Sequence, residues 1–304
     1  MAATSAHRGE GLAGAPARID VATAVGAVSL TVSDLDRSRT FYERAIGLRP
    51  TELDDGTVAF GVAGERPLVE LRGDSSAPRL NRRTPGHYHL AILLPTRLDL
   101  AFAVARLAET RWPLDGASDH LVSEALYLSD PDGNGIEIYR DRPRAEWTRV
   151  GDQLQMSTLP LDLNDVVGEL KAATELQLTA PSGTTIGHVH LQVADLREAE
   201  AFYHGVLGFD VMVRGYPGAL FVSAGGYHHH IGLNTWHSDG APPAASGSVG
   251  LRSFAVDLPD ERALDAVLAR VQGASLPSSP EPGGVLVPDP SGNGVVLRTR
   301  TAAG

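Results

Sequence analysis

His89, Glu137 and His188 are the residues of this chain whose types and places could do metal chemistry. At the corresponding places elsewhere in the chain stand Ala27, Ser253 and Val296, which are poor ligands or none at all. Two imidazoles and one carboxylate are the ligand inventory of the facial triad that holds non-haem Fe(II) and leaves three positions open. The chain has no cysteine, so thiolate sites and disulfides are excluded and any metal must sit on His, Asp or Glu.

Further candidates surround this set. In the run His228-His229-His230, strand alternation would put His228 and His230 on one face and His229 on the other. His230 then falls at the site equivalent to Glu137, as either a fourth ligand or a general base near the metal. Tyr127 is expected to face the same cavity from the strand partnering Glu137, donating a hydrogen bond to a bound oxygen. Asp119-His120 precedes it, and His120 is a further candidate. Glu70 lacks a ligand partner and reads as structural.

These residues recur at equivalent places because the chain repeats itself. Ile186 to Leu196 alternates as a half-buried strand and runs into a helical pattern, Leu196 to Leu207, closed by Gly208. Val25 to Leu35 is a copy, with Phe41-Tyr42 matching Phe202-Tyr203 and Gly47 matching Gly208. Two further copies open at Gly86 and Gly250, carry helices at 98–109 and 261–271, and close on Asp130-Pro131-Asp132-Gly133-Asn134-Gly135 and Asp289-Pro290-Ser291-Gly292-Asn293-Gly294. Both closing turns end in Asn-Gly, a strong hairpin signal. Four modules of strand, helix and three strands result, an α+β duplication. Since His89 and Glu137 lie in module two and His188 in module three, the cavity must be built by the two central modules. Modules one and four would form a metal-free pair.

A chain of 304 residues with 42% hydrophobic and 21% charged content suits two domains with cores of their own. The expected division is a disordered tail at 1–23, a first domain at 24–141, a connector with a helix near Asn164 to Leu176 at 142–184, and a second domain at 185–301. A net charge of −11 argues against nucleic acid and anionic membrane surfaces as partners. With no apolar run of membrane-spanning length and no apolar signal core, a cytoplasmic location is the default.

The strand starts His188-Val189-His190-Leu191 and His89-Leu90-Ala91 and the hairpin closing on Ile136-Glu137 resemble the vicinal oxygen chelate superfamily of glyoxalases, bleomycin-resistance proteins and extradiol dioxygenases. Within it, the stretches Ser123 to Pro131 and Ser223 to Asn234 resemble the Bacillus-type catechol-2,3-dioxygenases. The resemblance implies βαβββ modules paired into two lobes with cupped mixed sheets. It also implies cleavage of a small aromatic diol beside its hydroxyls, using O2 and Fe(II), with Mn(II) or another divalent metal as alternatives. By likeness His89, Glu137 and His188 hold the metal, His230 handles protons and Tyr127 contacts substrate. In one respect the chain departs from the pattern. The better-studied extradiol enzymes carry the metal in modules three and four, which Ser253 and Val296 exclude here. Two other readings stand beside this one, a glyoxalase-type isomerase or hydrolase using His230 as fourth ligand, and a non-catalytic binder of small aromatics. Homo-oligomerisation is left open.

Overall fold

The computed structural model describes residues 17–151 and 153–300. Module one contains β1 (Ala24–Val32), α1 (Leu35–Phe41), β2 (Arg49–Glu52), β3 (Val58–Gly61) and β4 (Pro67–Gly73). Module two contains β5 (Gly86–Leu93), α2 (Arg97–Thr110), β6 (Gly116–Asp119), β7 (Ser123–Ser129) and β8 (Gly135–Asp141). The connector carries β9 (Arg149–Val150), β10 (Gln153–Leu154), β11 (Leu159–Pro160) and α3 (Leu163–Gly168), which continues as a 3-10 turn to Ala172. Module three follows with β12 (Thr185–Gln192), α4 (Leu196–Glu200), β13 (Asp210–Val213), β14 (Ala219–Ser223) and β15 (Ile231–Asn234). Module four closes the chain with β16 (Gly250–Leu258), α5 (Glu261–Gly273), β17 (Ser279–Glu281), β18 (Gly284–Pro288) and β19 (Gly294–Thr299).

The strands form two large mixed sheets, each made from both halves of the chain. The inner sheet runs β11-β6-β7-β8-β5-β12-β15-β14-β13, and the outer one runs β17-β18-β19-β16-β1-β4-β3-β2. Modules two and three thus meet along the antiparallel pair β5/β12, and modules one and four along β1/β16. This is the pairing that the ligand accounting required. Bonds between helices and hairpins run the other way, within each half. The Tyr42 hydroxyl donates to Asp130 at 3.4 Å and the Tyr203 hydroxyl to Asp289 at 3.0 Å. One apolar cluster then runs through all four modules, from Val28 and Phe41 through Leu90 and Ile136 to Phe202, Ile231 and Leu297. The fold is α+β, with two lobes of βαβββ modules around curled sheets. No helix among the described residues is long and apolar enough to cross a membrane.

Local chemistry explains the helix starts. Asp34, Asp195 and Asp260 cap α1, α4 and α5 through their carboxylates, and Thr96 forms a full capping box with Asp99 on α2. The helices of modules one and three widen into π turns at Tyr42–Ile46 and Ala201–Val206, and the first of these ends on left-handed Gly47.

The closing turns differ from tight Asn-Gly hairpins. The left-handed residue is Gly133 or Gly292, while Asn134 and Asn293 are buried with their amides on Asp130 and Asp289. Each aspartate also accepts two backbone N–H groups of its own turn, so a carboxylate organises a wider loop. Gly135 serves a different purpose. A Cβ there would overlap the Tyr88 carbonyl oxygen, so glycine permits the close parallel approach of β8 to β5. Gly135→Ala is expected to cost about 3 kcal/mol or more, since backbone must move. Gly116→Ala, with open space around its Cβ position, should leave the thermal midpoint nearly unchanged. Calorimetry of the two variants checks this.

Residues 17–23, read from sequence as tail, are anchored at two points. Ile19 is buried and donates its N–H to the Gly208 carbonyl at 2.8 Å, and Thr23 is buried as well. Ala- and Gly-rich composition hid these contacts, which exist only once Gly208 and Gly225 offer bare backbone against this segment. The remainder of the expected tail lies outside the described residues.

Candidate metal centre and active site

Three neighbouring strands of the inner sheet converge on one carboxylate. β5 carries His89, β8 carries Glu137 and β12 carries His188, and all three side chains are buried. Glu137 Oε2 lies 3.1 Å from His89 Nε2 and 3.1 Å from His188 Nε2. The three ligand atoms lie within 4.8 Å of one another. Donors bound at right angles to an ion about 2.1 Å away stand about 3.0 Å apart, so this spacing fits adjacent ligands of one divalent metal. His89 Nε2 adds a second sign. It is buried and, among the described residues, makes no hydrogen bond although it lies 3.1 Å from Glu137 Oε2. A lone pair aimed at a shared point outside the triad is what a ligand requires. Burial opposes ionisation of Glu137, yet His188 and His89 together hold its carboxyl well below the usual range. Burial brings His188 down to about 4, against the pull of Glu137, so the imidazole stays neutral and free to bind a metal.

Two irregularities in β5/β12 shape the surroundings. Ile186 pairs with Ile92 and His188 with Ala91, which leaves Gly187 unpaired; a Cβ there would overlap the Tyr139 hydroxyl. Farther along, His190 faces His89 and Leu191 faces His87, so Tyr88 is the extra residue of a bulge. The bulge re-aims the Tyr88 ring into the cavity, 5.0 Å from the ring of His190. His190 itself fits because Gly232 lies opposite it, where a Cβ would stand 3.0 Å from the imidazole.

The cavity beside the triad measures about 350 Å³. Tyr88, Tyr216, Phe221 and Trp236 supply aromatic walls, and His89, Glu137, His190 and His229 form its polar side. Met156, Ser157 and Thr158 of the connector cover it, held because β11 adds to the edge of the inner sheet. Arg97 anchors the rest of the connector to module two through Glu124, Asp165 and Glu169. Tyr127 lies opposite Glu137 in the β7/β8 register, and its hydroxyl donates to His120 Nε2 at 2.6 Å. His120 Nδ1–H donates in turn to the Ser157 carbonyl at 2.7 Å. Burial, then the charge of Glu137, push the Tyr127 phenol up, so it remains protonated.

The family model of the glyoxalase/bleomycin resistance protein/dioxygenase superfamily matches residues 24–138 and 185–297. This chain belongs to that superfamily. It is 47% identical over 256 residues to a catechol-2,3-dioxygenase of Bacillus subtilis (strain 168), covering 83% of this chain and 88% of that protein. Virulence protein STM3117 of Salmonella typhimurium is 28% identical over 36% of this chain and 78% of its own length. Among solved structures, glyoxalase I from Zea mays shares the fold at a TM-score of 0.55 and 16% identity, covering 91% of this chain and 92% of its own.

Within this superfamily fold the outer lobe keeps the places of the triad without the imidazoles. The β5/β8 register pairs Ala91, two residues after His89, with Glu137. By the same rule Ser29 pairs with Glu70, His190 with Gly232 and Ala255 with Val296. Glu70 accepts a hydrogen bond from the Ser29 hydroxyl at 2.6 Å and has Ala27 and Ser253 where the imidazoles would be.

That register also corrects the placement of His230. The residue equivalent to Glu137 in module three is Gly232, and His230 precedes the strand, which begins only at Ile231. Its Nδ1 lies 2.9 Å from the Ser223 hydroxyl and accepts from the Ala224 N–H at 3.1 Å, and its side chain is absent from the cavity wall. Burial brings the imidazole down to about 3. His229 lines the cavity instead, its ring 4.2 Å from that of His188. Strand parity misassigned the pair because residues 227–230 form a bend, where alternation does not apply. His190 was legible as the residue two beyond His188 on the same strand. Tyr88 was not, since a bulge reverses the face on which a strand residue lies.

Proposed function

We propose that the protein is an extradiol dioxygenase that opens a small aromatic diol beside its two hydroxyls, with Fe(II) on His89, Glu137 and His188. The observation carrying this reading is the two-histidine, one-carboxylate set, of which His89 and Glu137 line an aromatic-walled cavity, in a chain 47% identical to a catechol-2,3-dioxygenase. The residues fit a divalent ion by spacing and by the orphaned His89 nitrogen, and the open positions of such a triad suit a bidentate diol with O2 beside it. When bound, Fe(II) supplies the one-electron chemistry that lets O2 react with a ring diol. One ring C–C bond breaks and both oxygen atoms enter the product, so no outside reductant is required.

The chain's own residues position the ring and move protons. Phe221, Trp236 and Tyr88 hold an aromatic ring and exclude water. His229 lines the cavity with its ring 4.2 Å from that of His188 and is the proton acceptor for one hydroxyl; burial, then His188 and His228, keep its imidazole neutral. Tyr127 has given its own hydrogen to His120, so its oxygen accepts from the other hydroxyl while His120 takes up the displaced hydrogen. An isomerase or hydrolase reading would draw on a fourth protein ligand. Among the described residues the metal-capable group has three members.

Anaerobic reconstitution with Fe(II), followed by O2 uptake with a panel of catechols, tests the proposal. Stoichiometric O2 consumption with a yellow ring-opened product is expected for at least one diol. Firmly bound iron with no turnover on any catechol would refute it.

A further inference from the structure

The dioxygenase reading uses His229 as an acceptor and leaves two neighbouring groups unexplained. Asp141 Oδ1 lies 3.0 Å from His228 Nε2, and His228 Nδ1 lies 2.8 Å from His229 Nδ1. His228 is fully buried, wedged between the rings of Tyr227 at 4.0 Å and His229 at 4.6 Å. Asp141 also accepts from the Tyr227 hydroxyl at 3.2 Å, which in turn meets the Tyr139 hydroxyl at 2.7 Å. A string of hydrogen bonds therefore runs from the last residue of β8 to the cavity wall.

We propose that His228, held by Asp141, is a positioning residue that sets which nitrogen of His229 carries the hydrogen. This rests on the reading of His229 as the substrate-facing base. The logic follows from donor and acceptor counts. A carboxylate can only accept, so His228 must present Nε2–H to Asp141. With its one hydrogen committed to Asp141, His228 has a bare Nδ1, and the short contact with His229 is satisfied only if His229 carries its hydrogen on Nδ1. His229 Nε2, which makes no hydrogen bond among the described residues, is left as a bare acceptor toward the cavity. Without the second histidine the buried Nδ1–H would lose its partner. The imidazole would then favour the other tautomer, with an N–H toward the substrate hydroxyl where an acceptor is needed.

Nitrogen-15 spectra of histidine-labelled, metal-free protein read the tautomer directly, with His229→Gln locating its signals. The expected result is an Nδ1–H tautomer for His229 in the native chain and an Nε2–H tautomer in His228→Phe, which keeps a ring but removes the acceptor. In the iron-loaded enzyme, His228→Phe should lower kcat about 10- to 100-fold with KM and metal content retained. His228→Gln, whose side-chain oxygen can accept from His229, should recover most of the loss. An Nε2–H tautomer in the native chain overturns the proposal, and so does His228→Phe with unchanged kcat or with lost metal. The native spectrum alone decides the point if the Phe variant does not fold. An Nδ1–H tautomer in a protein inert toward every catechol would uphold the hydrogen-bond string and sink the dioxygenase reading separately.

Discussion

Glu137→Ala is expected to weaken divalent-metal binding by more than about 100-fold, because loss of an outer-shell partner alone costs 10- to 100-fold and this residue is a direct donor. Val296→Ala should leave affinity unchanged. The comparison is controlled by the fold itself, since the two residues hold equivalent places on β8 and β19, paired with the residues two beyond His89 and Ser253. Truncating Glu137 strands no buried charge, because His188 beside it is held neutral by burial. The metal-free variant should therefore keep its circular dichroism, which separates a lost ligand from a lost fold. Titration calorimetry with Fe(II) or Mn(II) under anaerobic conditions measures the affinity. Equal binding by both variants would remove the ligand assignment.

His229→Ala should lower kcat by about 10²- to 10⁴-fold, the range ascribed to a positioned proton acceptor, with the metal still bound. His230→Ala should instead cost about 1 to 2 kcal/mol of stability, by leaving the Ala224 N–H without its partner and the Ser223 hydroxyl with the Ala224 carbonyl alone, and should leave kcat little changed. The pair is diagnostic because the two residues are adjacent and chemically identical. Only their orientation differs, one ring lying against His188 and the other turned onto Ser223. Steady-state kinetics with metal analysis on both proteins checks it, and the opposite ranking would return the catalytic role to His230.

Much of this was written into the order of the residues. Repetition of strand, helix and strands showed four equivalent modules, and equivalence turned His89, Glu137 and His188 into a set rather than three unrelated residues. Because their modules are the central two, the set also dictated which modules must share a sheet, and β5 against β12 is that junction. Periodicity carries such information because regular strands present every second residue to one side, so type and spacing map directly onto a surface.

Tertiary structure decided what periodicity cannot encode. The β5 bulge turns Tyr88 inward, the bend at 227–230 exchanges His229 for His230, and bare backbone at Gly208 gathers residues that composition marked as tail. In each case the outcome depends on a contact between segments far apart in the chain, whether a neighbouring strand's register or the room left by an absent Cβ. A linear pattern records which residues are available to a face. Packing chooses among them, because close-packed interiors admit one arrangement of side chains and exclude its near neighbours by overlap.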